Sequence, residues 1–397
     1  MATFSAQFLG CKVSQTDAQA LRERLTADGH REGRGAVDVA VVNGCCVTHE
    51  AVRKTRSAAR RAAKRAGQVY VTGCAARLDG AFAGLPSNVR VVSAPSERTP
   101  EIVAGDVGAI GCVNAAVGLG RVRAFVKIQD GCSFRCSFCV IPQVRGESRS
   151  RPAENVLAEI SRRVAQGHLE IVLTGINLGC YRDRAAGVDL AALVREAGRT
   201  PGLARLRLSS IEVNHLTKRL LTALRETPVV TRHLHVPLQS GDDAVLRAMA
   251  RRYSAETYLR RVAGAEGFNV TTDVIVGFPT EDEAAFERTV ATIEAAGATK
   301  VHVFPYSPRP GTRTAAEDVV PPHVKKARGA RLRAASETAC RRRWEAKIGG
   351  EDVVLVDRPG RGYGDDYSPW LVDAPVGELV RVRAVGATDE GILGVAA

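Results

Sequence analysis

The segment Arg121–Cys139, RVRAFVKIQDGCSFRCSFC, decides the fold of this chain. An apolar run typical of a β-strand leads directly into a short loop that carries Cys132, Cys136 and Cys139 in the spacing Cys-x3-Cys-x2-Cys. Thiolates are the ligands that iron–sulfur clusters require, and three of them leave one iron of a four-iron cubane open. The alternative is a zinc site, but closed zinc sites have four ligands, often in paired Cys-x2-Cys groups. We call these three cysteines the core triplet.

Five further strand-like runs follow this segment and are separated mostly by helical segments. The runs are LEIVLTGIN, LARLRLSSIE, RHLHVPLQSG, FNVTTDVIVGFP and KVHVFPYSP. Six βα-like units predict a curved parallel sheet, a partial (β/α)6 barrel over residues 118–347. Polar and glycine residues stand at the strand ends, which matches the rule that such α/β enzymes build their sites from the loops at the carboxyl ends of the strands.

A second set of cysteines lies upstream, where an apolar run, a glycine, a cysteine and a polar helical segment recur three times. The runs AQFLGC, VDVAVVNGC and QVYVTGC end at Cys11, Cys45 and Cys74, and we call these the N-terminal triplet. The pattern predicts a parallel βαβαβ unit over residues 1–110. Right-handed crossovers bring the carboxyl ends of parallel strands to one edge, so the three sulfurs should converge. Three unrelated buried thiols are the alternative, because free cysteine is often buried.

Two segments flank the central barrel. The Gly/Ala/Val-rich stretch Ala104–Gly120 breaks helical periodicity and predicts a linker, with a boundary near Gly118. The strongly basic segment Pro321–Lys347 predicts a helix. After it, EDVVLVDR, YSPWLVDA and ELVRVRAVG alternate like short strands, which predicts a small β-domain over residues 348–397. The fold class is therefore α/β with three units.

Composition narrows the functional class. The 397 residues include ten cysteines and carry a formal charge of +13. No long uncharged apolar stretch and no secretory signal are evident, so we expect a cytoplasmic protein without a membrane partner. In that compartment clustered cysteines favour metal ligation, whereas Cys112, Cys180 and Cys340 fit no cluster and are predicted to be structural thiols. The charge favours a polyanionic partner.

The core triplet, with Phe138 immediately before its last cysteine, resembles the radical S-adenosylmethionine (SAM) motif Cys-x3-Cys-x-aromatic-Cys. The resemblance implies that a [4Fe-4S] cluster on these cysteines binds SAM through its open iron. It also implies that one-electron reduction yields a 5′-deoxyadenosyl radical and that Phe138 supports the adenine.

Together, the three units are similar to the methylthiotransferase family over essentially the whole chain. The resemblance implies a second [4Fe-4S] cluster on the N-terminal triplet, which carries or donates the sulfur inserted into a C–H bond while a second SAM supplies the methyl group. NGCC replaces the family's usual Asn-Thr-Cys-Thr, so Cys46 is an alternative ligand to Cys45. Arg145 is expected near the site. The strand-end segments TGIN, SSIE, VPLQSG and DVIVGFPTE also match, and they imply cosubstrate contacts by Glu212, Gln239, Asp273 and Gly277.

The context of the first cysteine, GCKVSQ, resembles the branch of this family that acts on N6-threonylcarbamoyladenosine at position 37 of tRNA. This branch implies the tRNA anticodon stem-loop as a partner and a reductant protein of the flavodoxin or ferredoxin type. Branches acting on isopentenyladenosine or on a ribosomal-protein aspartate are the alternatives, as is a non-enzymatic Fe–S RNA-binding protein. The C-terminal strands resemble a TRAM domain, an RNA-binding β-barrel in which Tyr363, Tyr367 and Trp370 can stack on bases or pack in the core.

Overall fold

A computed structural model describes residues 1–93 and 122–397. The predicted linker Ala104–Gly120, the boundary near Gly118 and Cys112 lie outside these described residues. Within the described ranges the chain is an α/β protein with an N-terminal sheet, a parallel half-barrel and a C-terminal β-barrel. No helix of this part of the chain is long and apolar enough to cross a membrane.

The N-terminal unit is a fully parallel sheet with the strand order β2-β1-β3-β4-β5. Its strands are β1 (Thr3–Phe8), β2 (Arg31–Glu32), β3 (Val37–Gly44), β4 (Ala66–Gly73) and β5 (Val89–Val91). Two helices, α1 (Lys12–Ala27) and α2 (His49–Ala63), connect β1, β3 and β4 as predicted. The short strands β2 and β5 at the edges were not predicted.

Glycine before each cysteine has a steric reason at all three strand ends. A Cβ on Gly44 would lie 2.4 Å from Cγ2 of Thr55, and the other two glycines also have a positive φ. Gly10 has φ +140°, and a Cβ there would lie 2.7 Å from the Cβ of Cys45. Gly73 has φ +80°, and a Cβ there would lie 2.5 Å from Oδ1 of Asn43. A side chain fits none of these positions, so the glycines allow neighbouring strand ends to approach closely.

The central unit contains all six predicted strands. The loops between them contain additional short strands. In chain order the strands are β6 (Arg123–Lys127), β7 (Gln129–Asp130), β8 (Arg149–Ser150), β9 (Glu170–Thr174), β10 (Arg182–Asp183), β11 (Val188–Asp189), β12 (Arg205–Leu208), β13 (His233–His235), β14 (Asn269–Val276) and β15 (Lys300–Pro305). The helices are α3 (Ile141–Arg145), α4 (Ala153–Ala165), α5 (Leu190–Gly198), α6 (Lys218–Glu226), α7 (Asp243–Ala248), α8 (Ala255–Ala263), α9 (Glu283–Ala295) and α10 (Pro322–Glu345).

The six main strands form one parallel arc. β6, β9 and β12 pair in one half, and β13, β14 and β15 pair in the other. A parallel bridge between Leu206 and Val230 joins the two halves. Apolar side chains of the strands and of the covering helices form the largest core cluster, which includes Val126, Leu173 and Phe286. The arc leaves its inner face open for a site.

The C-terminal unit is a closed barrel with the strand order β16-β17-β18-β20-β19. Its strands are β16 (Glu351–Arg358), β17 (Arg361–Tyr363), β18 (Pro369–Leu371), β19 (Leu379–Thr388) and β20 (Gly391–Ala396). Trp370 is only 1% exposed and lies in the core of this barrel, so it packs there and does not present a surface for base stacking. Arg205 of β12 donates to the carbonyl oxygens of Tyr363 and Val353, which ties the barrel to the arc.

The structure confirms the basic helix α10, and several of its cationic side chains form ion pairs within the protein. Arg328 pairs with Glu281 of the core at 2.7 Å, and Arg343 pairs with Asp366 of the barrel at 2.8 Å. The helix therefore braces the arc against the barrel, and only part of its charge remains for a polyanionic partner.

Candidate functional site

The core triplet lies in the loop after β7, at the carboxyl end of the first barrel strand. The sulfur of Cys132 accepts from the backbone N–H of Phe134 at 3.4 Å and from Nδ2 of Asn177 at 4.0 Å. Nη1 of Arg251 donates to the sulfur of Cys136 at 3.4 Å. The loop thus surrounds its sulfurs with donors that stabilise thiolates.

Burial acts against these thiolates. It raises the pKa of Cys139 to about 12, with the neighbouring cysteines adding to the shift, and it also raises the pKa of Cys132. A buried anion needs a nearby positive charge, which the irons of a cluster provide when they bind. Three thiols on one loop with N–H donors around them therefore fit a [4Fe-4S] cluster.

The N-terminal triplet converges at the carboxyl edge of the first sheet, as predicted. Cys11 is exposed at the start of α1, whereas Cys45 and Cys74 are buried. Burial, followed by the proximity of Cys11 and Cys74, raises the pKa of Cys45 to about 11. This mutual influence places the three sulfurs in one cluster of side chains, which argues against the alternative of unrelated thiols.

Cys46 takes a different position from Cys45. Its fully buried thiol donates to the sulfur of Cys74, and this hydrogen bond lowers the pKa of Cys74 although burial opposes it. Nε of Arg145 also donates to the sulfur of Cys74, at 2.9 Å. Cys74 is therefore the sulfur of this triplet best prepared to be a thiolate.

Arg145 connects the two halves of the site through a buried ion network. It donates to Asp17 of α1 at 2.8 Å and to Asp130, two residues before the core triplet, at 3.0 Å. Lys127 of β6 also contacts both carboxylates. The network joins the N-terminal unit to the arc through side chains that are at most 10% exposed.

One cavity of about 1370 Å³ lies on the inner face of the arc and contacts both cysteine sites. Cys11 of the N-terminal triplet and Cys139 of the core triplet line it. Tyr363 and Tyr367 of the C-terminal barrel line it as well. All three structural units therefore contribute to a single space.

The predicted cosubstrate residues divide into two groups. Phe138, Gln239 and Asp273 line the cavity, and Gln239 has the left-handed φ of +68°. Glu212 instead accepts from Asn214 and Arg251, and Gly277 donates its N–H to Glu281. A Cβ on Gly277 would lie 2.4 Å from Lys325 of α10, so this glycine also permits a close helix approach. The cosubstrate role of all five residues remains a prediction.

Asp273 has two histidine partners on neighbouring strands. Nε2 of His235 lies 3.1 Å from its Oδ1, and Nδ1 of His302 lies 3.4 Å away. Burial alone would raise the pKa of Asp273, but the hydrogen bonds from both histidines lower it to about 2. The carboxylate is therefore ionised and already paired.

The sequence reasoning missed several residues of the site. Arg251 comes from a loop without a recognisable pattern. Arg309 lies in the segment HVFPYSPRPGT, which resembles the family but gave no reason to expect a role for this arginine, and its Nη1 donates to the carbonyl oxygen of Cys46 at 3.2 Å. Lys127 and Asp130 had a usable signal, because charged residues directly before a ligand loop at a strand end are candidates for the same site.

Comparison with known proteins agrees with this geometry. The model of the radical SAM superfamily matches residues 126–293, and that of "Uncharacterized protein family UPF0004" matches residues 3–91. The threonylcarbamoyladenosine tRNA methylthiotransferase MtaB of Chlamydia pneumoniae is 35% identical, with 99% of this chain and 97% of that protein covered. The chain belongs to the radical SAM methylthiotransferase family.

Other relatives and solved structures extend this result. The MtaB protein of Bacillus subtilis is 36% identical over 98% of this chain and 94% of its own length. The tRNA-2-methylthio-N(6)-dimethylallyladenosine synthase of Sorangium cellulosum is 35% identical over 92% and 84%. The radical SAM methyltransferase TsrM of Kitasatospora setae, solved with tryptophan and a SAM analogue, has a TM-score of 0.55 at 14% identity over 79% of this chain and 75% of that chain. That likeness reports the fold alone.

Membership in this family makes the chain a radical SAM enzyme, which rules out the non-enzymatic alternative. It implies a [4Fe-4S] cluster and SAM as cofactors, in agreement with the fit of the core triplet. The zinc alternative is thereby set aside for this loop.

Proposed function

We propose that this methylthiotransferase converts N6-threonylcarbamoyladenosine at position 37 of tRNA, next to the anticodon, into its 2-methylthio derivative. The observation that carries the proposal is the single cavity that both Cys11 and Cys139 line. Inserting sulfur into a C–H bond requires the site of hydrogen abstraction and the source of sulfur to meet one substrate atom, and a shared cavity provides that alignment.

In this proposal Cys132, Cys136 and Cys139 hold one [4Fe-4S] cluster, and Cys11, Cys45 and Cys74 hold a second. When bound, the clusters and SAM supply the one-electron chemistry, the sulfur and the methyl group. Cys45 is the more suitable third ligand of the N-terminal site because Cys46 already donates to Cys74. Phe138, Gln239 and Asp273 border the space that SAM would occupy.

The protein's own residues orient these groups. Arg251 donates to Cys136 and to Glu212, so it fixes the core loop against the segment after β12. Arg145 donates to Cys74 and to Asp17, so it fixes the loop of Cys74 against helix α1 of the N-terminal unit. Donors around metal-bound thiolates tune the potential of a cluster and fix its ligands, so these two arginines are positioning residues.

An RNA partner is supported by three features. The chain carries a charge of +13, and the relatives named above include tRNA methylthiotransferases over their full length. Tyr363 and Tyr367 of the TRAM-like barrel line the cavity with ring centroids 4.7 Å apart. Aromatic rings and cations that line a cavity suit a nucleotide turned out of an RNA loop. A flavodoxin or ferredoxin type protein would supply the electrons.

The second candidate substrate is N6-dimethylallyladenosine, also called isopentenyladenosine, in tRNA. It is favoured by the Sorangium cellulosum relative, whose identity to this chain equals that of the Chlamydia pneumoniae relative. Identity alone does not separate the two substrates. A ribosomal-protein aspartate is the third substrate, and we hold it below the other two because no relative named above acts on a protein.

Nucleoside mass spectrometry of tRNA from a deletion strain tests the proposal. We expect 2-methylthio-N6-threonylcarbamoyladenosine to disappear, N6-threonylcarbamoyladenosine to accumulate, and the wild-type gene to restore the product while a Cys11→Ala gene does not. An unchanged level of the methylthio-threonylcarbamoyl nucleoside would overturn it. Loss of the dimethylallyl product instead would select the second candidate.

A further inference from the structure

Lys12, the first residue of α1, lines the shared cavity directly beside Cys11. Its side chain is accessible from the cavity, but its ammonium has no ion pair or hydrogen bond among residues 1–93 and 122–397. A lysine held in this way is a cation that lacks a counter-ion.

Glu170, the nearest buried carboxylate on this side of the arc, already has two cationic partners. It pairs with Arg123 at 2.5 Å and with Arg207 at 3.0 Å. Even so, Nη2 of Arg123 and Nη1 of Arg207 have no hydrogen-bond partner in the described part of the chain. Glu170 is therefore already neutralised by two arginines, and Lys12, which lines the cavity, has no carboxylate partner among the described residues.

Asp273 offers Lys12 no better partner. Its carboxylate accepts from His235 and His302, and both contacts are within 3.4 Å. The excess positive charge is therefore not cancelled by the protein, and an anionic group entering the cavity would gain both the charge and the hydrogen bonds of the ammonium.

The position of Lys12 along the strands of the arc indicates which chemical group carries this anion. Arg123 and Glu170 are the first residues of β6 and β9, at the strand ends opposite the core triplet loop. SAM bound to a cluster on Cys132, Cys136 and Cys139 would hold its carboxylate at the carboxyl ends of the strands, away from Arg123 and Glu170. In the proposed substrate the methylthio group enters at carbon 2, whereas the threonylcarbamoyl group with its free carboxylate is attached at N6. A base whose carbon 2 faces the core triplet holds the N6 substituent away from the core loop.

We propose that Lys12 binds the carboxylate of the threonylcarbamoyl group and thereby selects the substrate adenosine. This inference rests on the proposed function and deepens it. A neutral dimethylallyl group would leave Lys12 buried against a bound base without a counter-ion, which disfavours that substrate. Lys12 belongs to the N-terminal unit, so substrate selection and sulfur delivery reside on adjacent residues.

The test uses anaerobically reconstituted full-length enzyme and two anticodon stem-loop RNAs. One carries N6-threonylcarbamoyladenosine, and the other carries the methyl ester of its threonine carboxylate. For the wild type we expect the acid to be preferred. Lys12→Met should lower kcat/KM for the acid RNA roughly 10- to 100-fold, the loss expected for one charge-assisted hydrogen bond, and should leave the ester RNA almost unaffected.

The control is Lys218→Met, which removes an exposed lysine at the start of α6 and should change neither RNA. Equal activity of Lys12→Met and wild type on the acid RNA would overturn the inference. An equal loss on acid and ester would also overturn it, because the role would then be structural. If the wild type leaves the acid RNA unmodified, the proposed function fails and the inference fails with it. If wild type prefers the acid but Lys12→Met does too, only the inference fails.

Discussion

The two cysteine sites of this enzyme differ in how the chain assembles them. The core triplet comes from one loop of eight residues, Cys132–Cys139, whereas the N-terminal triplet comes from three strand ends spread over more than sixty residues. The first site needs only a local loop conformation, and the second needs a folded sheet. In both sites, nevertheless, an arginine donates a hydrogen bond to a cysteine sulfur. Arg251 donates to Cys136, and Arg145 donates to Cys74. A local site can therefore be recognised by spacing, and a dispersed site only through topology.

The largest expected effect separates the two sites by their chemistry. Cys136→Ala should abolish both 5′-deoxyadenosine formation and methylthiolated RNA, because the core triplet is proposed to hold the SAM-binding cluster. Cys74→Ala should abolish the methylthiolated product while 5′-deoxyadenosine formation persists. Both products can be quantified by mass spectrometry in one assay, with Cys340→Ser as the control. Loss of SAM cleavage in Cys74→Ala would contradict the proposal that the core triplet alone is required for SAM cleavage.

Removal of the two arginines should have a smaller effect of the same kind. Arg251→Met is expected to lower 5′-deoxyadenosine formation, and Arg145→Met to lower methylthiolation, each roughly 10- to 100-fold, as when outer hydrogen bonds to metal ligands are lost. Conservative Arg→Lys variants should recover part of each loss. If each arginine variant affected both activities equally, the two sites would not be separable in function.

Arg145→Met should also destabilise the protein, and Arg251→Met less so. Arg145→Met leaves Asp17 and Asp130 buried with Lys127 as their one remaining ion-pair partner among the described residues, which should cost about 3 kcal/mol of unfolding free energy. Urea unfolding of wild type, Arg145→Met and the double variant Asp130→Asn, Arg145→Met measures this cost. The double variant should recover stability because Lys127 and Asp17 then remain as a neutral ion pair, and failure to recover would contradict the argument.

The smallest effect is expected for Cys46. Cys45→Ala should lower the iron content from about eight to about four atoms per chain, whereas Cys46→Ala should retain about eight. Because Cys46→Ala removes one hydrogen bond to Cys74, we expect methylthiolation to fall only roughly 2- to 10-fold. The opposite pattern of iron loss would make Cys46 the ligand and would revise the N-terminal triplet.

Much of the fold could be predicted from the sequence because its signals are local. The Gly-Cys strand ends, the six strand-like runs and the basic helix α10 all correspond to elements of the structure. The short strands β2, β5, β17 and β20 were missed, because pairing with neighbours and not their own pattern makes them strands. Trp370 could not be assigned from its type alone, since only the closed barrel buries it.

The positions of the two cysteine triplets were predictable from the sequence, and the residues that support them were less so. The convergence of Cys11, Cys45 and Cys74 followed from parallel topology, and the core loop followed from spacing. Arg145 was expected near the site, but its contact with Cys74 depends on a docking of two units that no spacing encodes. The sequence shows Lys12 next to Cys11, but it does not show that the neighbouring carboxylates are paired with other residues. Only the structure shows this pairing.

The Arg145 network has a consequence for how such enzymes can be recombined. The guanidinium of Arg145 donates to the sulfur of Cys74 and to the carboxylate of Asp17 in the first unit. It also donates to the carboxylate of Asp130 in the second unit. An N-terminal unit transplanted onto a different radical SAM core would therefore arrive without the cation that steadies Cys74 and with Asp17 facing a new surface. A functional chimera must carry Lys127, Asp130 and Arg145 along with the transplanted unit, so the exchangeable module ends inside the neighbouring barrel and not at the linker.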